Sequence, residues 1–115
     1  STVFVLPWWD QWRDVILPMF ESIGLREDRL IRCLLAGMPS GLHIPMHHDT
    51  GWWAMQSHRA HIPVFTSDKV VFRVGARESA MQRWEFAEGC AVELNNRAKH
   101  EVYNGWDQRR VNLIF

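Results

Sequence analysis

Between Asp10 and Gly24 the chain reads DQWRDVILPMFESIG, and its apolar side chains Trp12, Val15, Ile16, Met19, Phe20 and Ile23 return every three or four positions. That period lines them along one face of an α-helix. Asp10 stands where an N-cap is expected and Gly24 where a helix stops. Pro18 lies inside the pattern and predicts a kink or a split, because proline has no N–H to donate to the turn before it. From Leu30 onward the pattern changes to short apolar runs broken by turn residues. The runs are LIRCLLAGM, LHIPMHH, RAHIPVFT, KVVFRVG, QRWEF, CAVEL, KHEVYN and RRVNLIF, with PSG, TG, SD, AEG and NNRA among the breaks. Seven or eight short strands with a turn about every ten residues predict an all-β sandwich or barrel, with the N-terminal helix covering one face.

Composition narrows the class. At 115 residues the chain is long enough for one core and too short for two. Its 13 basic and 13 acidic residues cancel, which argues against nucleic-acid binding, since that needs a surplus of Lys and Arg on one face. No apolar run approaches the roughly 20 residues of a membrane span. Cys33 and Cys90 match no metal-binding spacing, so both are expected to be reduced and buried in a cytoplasmic protein. No signal peptide is read. The absence of an initiator Met and the ending in VNLIF suggest a fragment or a trimmed chain. Of the seven tryptophans, Trp8, Trp9, Trp12 and Trp84 are expected to supply core area. Trp52 and Trp53 read equally as packing residues or as the lining of a pocket.

The densest chemistry lies in HIPMHHDTGWW, where three histidines and an aspartate fall between His43 and Asp49. On an extended strand, residues two apart share a face, so His47 and Asp49 project together and His48 points away. A histidine beside a carboxylate makes two-thirds of the 2-His-1-carboxylate triad that holds Fe(II), and the missing imidazole must come from another strand. His100, in RAKHEVYNG, is the one histidine outside the 43–61 window. His43, His48 and His58 are expected to be ordinary, half-buried histidines. Ten residues past His100 comes Arg110. If KHEVYN and RRVNLIF form a hairpin, Arg110 or its neighbour Arg109 turns inward, and a guanidinium inside an apolar barrel calls for an anion. A dicarboxylate that chelates iron at one end would supply it.

Four segments together, IPMHHD, RAHIPVFT, AEGCAVELNNRAKHEVYNG and RRVNLIF, resemble the aspartyl/asparaginyl β-hydroxylase family of Fe(II)- and 2-oxoglutarate-dependent dioxygenases, which also includes bacterial proline 3-hydroxylases. The resemblance covers roughly residues 30 to 115. It implies a double-stranded β-helix, the jelly-roll or cupin-like fold, as a single domain over 1–115 with a helical cover at 1–28 and the core at 29–115. It implies that His47, Asp49 and His100 bind the iron and that Arg110 grips the far carboxylate of 2-oxoglutarate. Arg59 and His61, in SHRAHIPV, match an R-x-H of the family that clamps the same cosubstrate. The animal members carry glycine where the carboxylate is expected; Asp49 makes this chain more similar to the proline 3-hydroxylase branch. The activity implied is hydroxylation by O2 of a C–H bond in an amino acid, a peptidyl side chain or a related small molecule. TGWWAMQS, with Trp52, Trp53 and Met55, is expected either to rim the substrate pocket or to be a packed loop. The alternatives are a non-catalytic metal-binding cupin-like sensor or structural module, and a dioxygenase that needs no 2-oxoglutarate. Substrate identity and oligomeric state are not legible.

Overall fold

The structure, a computed structural model, describes residues 8–51, 56–95 and 97–115. Trp52, Trp53 and Met55 therefore lie outside the described residues. The chain divides into two compact units, one reaching to Leu34 and including Phe115, the other spanning Leu35–Ile114.

In the first unit, helix α1 runs over Trp9–Ser22. Ile16 and Phe20, four apart, are its buried residues, and the Phe20 ring lies 4.2 Å from that of Phe115. The C-terminus closes as the sequence predicts. Gly24 takes φ +83°, its N–H bonds the Glu21 carbonyl, and the Leu25 N–H bonds Phe20, the two-bond cap that a left-handed glycine permits. Three expectations are corrected here. The N-cap is Trp8, with no side-chain bond, and Asp10 sits in the first turn, where a carboxylate still favours the positive end of the helix dipole. Pro18 does not split the helix, which runs unbroken past it. Trp12 is 52% exposed, so it supplies no core. Beyond the helix, a short 3-10 turn at Glu27–Arg29 places Glu27 for a two-pronged ion pair with Arg13, each bond 2.7 Å.

The second unit is a jelly-roll. Its strands are β1 (Leu34–Met38), β2 (His43–His47), β3 (Arg59–Phe65), β4 (Val70–Gly75), β5 (Gln82–Trp84), β6 (Val92–Leu94), β7 (Lys99–Asn104) and β8 (Arg110–Ile114). They form two four-stranded sheets, in the orders β1-β8-β3-β6 and β2-β7-β4-β5. Alternation sets which side chains face in: His100, Val102 and Asn104 on β7, and Phe72 and Val74 on β4. The core between the sheets is Met38, Phe72, Val74, Leu94 and Val102, with Ile44, Val70, Phe86 and Ala98 packed around it.

The turn between β7 and β8 is held by the fully buried Asn104, whose amide donates to the carbonyls of Met38 and Gln108, 2.9 Å each, and accepts from the Trp106 N–H. Arg109, on that turn, lies across Gly37, where a Cβ would stand 2.8 Å from its Nη1. Arg109 thus stays at the surface, and Arg110 is the residue that turns in. Of the remaining core and cysteine expectations, Cys33 is buried and Cys90 exposed, both as free thiols. Trp84 is 37% exposed, on the short edge strand β5, rather than in the core.

Candidate metal centre

Strand β2 pairs with β7 through His43↔Tyr103 and Ile44↔Val102, and then through His47↔His100. Three residues on β2 thus answer two on β7, which is a β-bulge. Strict alternation from the inward Ile44 would put Met46 opposite His100 and send His47 outward. The extra residue instead turns His47 to the side that His100 occupies, and the two rings stand 4.2 Å apart. Asp49 follows just past the strand end. Its Oδ1 lies 3.8 Å from Nε2 of His47 and 3.9 Å from Nε2 of His100, and all three ligand atoms fall within 4.8 Å of one another. Both separations from Asp49 are below the about 4.2 Å at which two donors can share one first-row metal ion at bond lengths near 2.1 Å.

The atoms around these three side chains prepare them to receive an ion. Nδ1 of His47 donates to the Pro45 carbonyl at 2.8 Å, and Nδ1 of His100 to the Ala98 carbonyl at 3.1 Å. A carbonyl only accepts, so in each neutral ring the proton sits on Nδ1 and the Nε2 lone pair is free. Burial lowers the pKa of His100, which keeps the ring in that neutral form. Arg59 Nη1 donates to Asp49 Oδ2 at 2.7 Å, leaving Oδ1 to face the imidazoles. The donor set of two imidazole nitrogens and one carboxylate oxygen fits Fe(II), with coordination positions left open. Phe72 stacks parallel to His100, ring centres 6.0 Å apart, and ties that side chain to the core.

On the other side of the core, Arg110 and Asn112, two apart on β8, face inward and are 6% and 1% exposed. They line a cavity of about 330 Å³ with Phe72, Trp84 and Phe86, whose wall also includes Asp68, Glu85 and Glu88. Burial pulls the Arg110 pKa down, the mark of a cation that has lost its water. Among the described residues no carboxylate pairs with it, and its Nε has no hydrogen-bond partner. His61 lies between the two regions. Its Nδ1 is 3.3 Å from the Asn112 amide, and its Nε2 is buried without a partner. Burial, and then the charges of Arg59 and Arg110, push the His61 pKa down to about 3, so the ring is neutral.

The structure thus brings His47, Asp49 and His100 together and places Arg59 on Asp49. It sets His61 and Arg110 in the interior between the sheets. His43, His48 and His58 are exposed rather than half-buried, with His43 against Glu101 and His58 against Glu93. Sequence reasoning passed over Asn112, although its spacing of two from Arg110 was a signal that both share a face. Nothing in the sequence pointed to Phe72 or to the carbonyls of Pro45 and Ala98.

The sequence profile of the aspartyl/asparaginyl β-hydroxylases matches residues 16–115. The chain belongs to this family. It resembles an oxidoreductase of the 2OG-Fe(II) oxygenase family from Burkholderia pseudomallei, with TM-score 0.65 and 19% identity over 95% of this chain and 55% of that one. It thus spans little more than half of that relative's length. A cupin domain from Bordetella pertussis Tohama I superposes with TM-score 0.51 at 13% identity, covering 71% of this chain and 75% of that one. At these identities the two structures establish the shared jelly-roll fold of this hydroxylase-family chain. No curated protein sequence matches it. Among the described residues no helix is long and apolar enough to cross a membrane.

Proposed function

We propose that this protein is an Fe(II)- and 2-oxoglutarate-dependent dioxygenase that hydroxylates a C–H bond of an amino acid, a peptidyl side chain or a related small molecule. The observation that carries this reading is Arg110. A guanidinium buried without a counter-charge costs several kcal/mol unless an anion arrives, and a metal module that only sensed or stiffened would have no use for one beside its core. An anionic cosubstrate held at one end by the ion and at the other by Arg110 accounts for both features at once.

In this reading His47, Asp49 and His100 would hold the iron on one face, and Arg59 would keep Asp49 turned toward it. When bound, iron and 2-oxoglutarate would supply the oxidising chemistry: the cosubstrate would lose CO2 and take one oxygen atom of O2 to become succinate, and the other oxygen atom would enter the substrate C–H bond. Arg110 would take the far carboxylate through its planar fork, with His61 beside it. Phe72 and Phe86, whose rings lie 4.7 Å apart, would supply an apolar wall beside the cosubstrate.

The test supplies the chain with Fe(II), 2-oxoglutarate and O2 and follows succinate, with panels of free amino acids and peptides as substrates. Succinate release that disappears in Arg110→Met supports the assignment. Metal binding with no succinate under any of these conditions would return the protein to the class of non-catalytic cupin-like modules.

A further inference from the structure

His61 cannot present the same nitrogen to the site as His47 and His100, and the reason lies on β8. Arg110 and Asn112 point into one cavity from the same strand face. A fixed positive charge orients a neighbouring amide with its oxygen toward the cation and its NH2 away. Turned that way, the Asn112 NH2 reaches His61 Nδ1 at 3.3 Å, while its Oδ1 is the buried atom left without a partner. A nitrogen that receives an N–H bond carries no proton of its own, so the proton of the neutral ring sits on Nε2. Nε2 is the other orphan of this pair. The reverse amide orientation would turn the Asn112 oxygen, an acceptor, to His61 and leave the proton on Nδ1.

We infer that Asn112 is a positioning residue that, under the field of Arg110, fixes His61 as the Nε2–H tautomer, opposite to that of His47 and His100. This makes three imidazoles with two assignments. His47 and His100 give their protons to backbone carbonyls and keep Nε2 bare for a metal. His61 gives its Nδ1 lone pair to Asn112 and keeps a proton on Nε2, so it is a hydrogen-bond donor and not a fourth ligand. The consequence rests on the proposed function: His61 offers its N–H to an oxygen of the anionic cosubstrate. The tautomer itself is independent of that reading and is measured without turnover.

The experiment is long-range ¹H–¹⁵N correlation of the imidazoles in the metal-free chain at neutral pH, with assignments from His→Gln variants. The expected result is a bare Nδ1 and a protonated Nε2 for His61, with the reverse pattern for His47 and His100. A protonated Nδ1 on His61, or rapid averaging of its two nitrogens, overturns the inference. Asn112→Asp supplies an acceptor only and should switch His61 to Nδ1–H, while unchanged His47 and His100 signals report that the fold is intact. A His61 pattern that stays the same in a folded Asn112→Asp also overturns it. Loss of succinate formation with the expected tautomers would remove the dioxygenase reading and leave this one standing.

Discussion

At the scale of single residues, Asp49 is the hinge between two electrostatic jobs. One of its oxygens is occupied by Arg59 at 2.7 Å, and the other faces the histidine pair. An outer partner of this kind typically accounts for a ten- to hundredfold effect on metal affinity. Arg59→Met should therefore weaken Fe(II) binding by roughly that factor, and Asp49→Ala should weaken it further. His48→Ala, one position away but turned to solvent, should leave binding unchanged; isothermal titration with Fe(II) under anaerobic conditions compares the three. His61 carries a second residue-scale expectation. Its pKa in the folded chain is about 3, against an ordinary value of 6.5. Between those values the unfolded chain takes up a proton that the folded chain refuses. Stability from this group is complete above about 6.5 and is lost as pH falls toward 3, and the lowered His100 acts in the same sense. Melting temperature of the metal-free protein should drop from pH 7 to pH 4, and His61→Gln should flatten that dependence. An equal slope in the variant would remove His61 as its source.

At the scale of elements, the bulge in β2 and the turn before β8 do the placing. The first turns His47 toward His100, and the second delivers Arg110 rather than Arg109 to the interior. Deleting both Pro45 and Met46 puts His47 directly after the inward Ile44, opposite Glu101, and should send it outward. The expected outcome is a strand pair retained by circular dichroism with Fe(II) binding lost. Asn104 pins the turn with three hydrogen bonds from a fully buried position. Asn104→Ala strands two carbonyls and an N–H. At about 1 kcal/mol or more for each unsatisfied group, a loss of about 2–4 kcal/mol is expected in urea unfolding. Because Arg110 lies just past this turn, the same variant should also weaken 2-oxoglutarate binding. Strand positions were legible from alternation and turn residues, since those are local. Neither device was, because a bulge is a relation between two strands and leaves no mark on one of them alone.

At the scale of the whole molecule, the ligand cluster joins β2, the loop after it and β7, segments that the unfolded chain does not hold together. An ion bound only by the folded state stabilises it by mass action, about 2.7 kcal/mol at a hundredfold excess over the dissociation constant. Fe(II), or Zn(II) as a redox-inert substitute, should raise the melting temperature in a concentration-dependent way, and a chelator should reverse the rise. Asp49→Ala should abolish the shift. What the sequence pattern by itself determined was the type of each element, the helix stop at Gly24, a sandwich or barrel of seven or eight short strands and the residue types able to hold a metal. Each of these depends on period, turn chemistry or side-chain identity within a few residues. Tertiary structure alone decided which face His47 takes, that Arg59 turns to Asp49, that no carboxylate pairs with the buried Arg110, and which nitrogen of His47 and of His100 is free. Those are set by distances between strands far apart in the chain, and by the loss of water around charges, which no local pattern records.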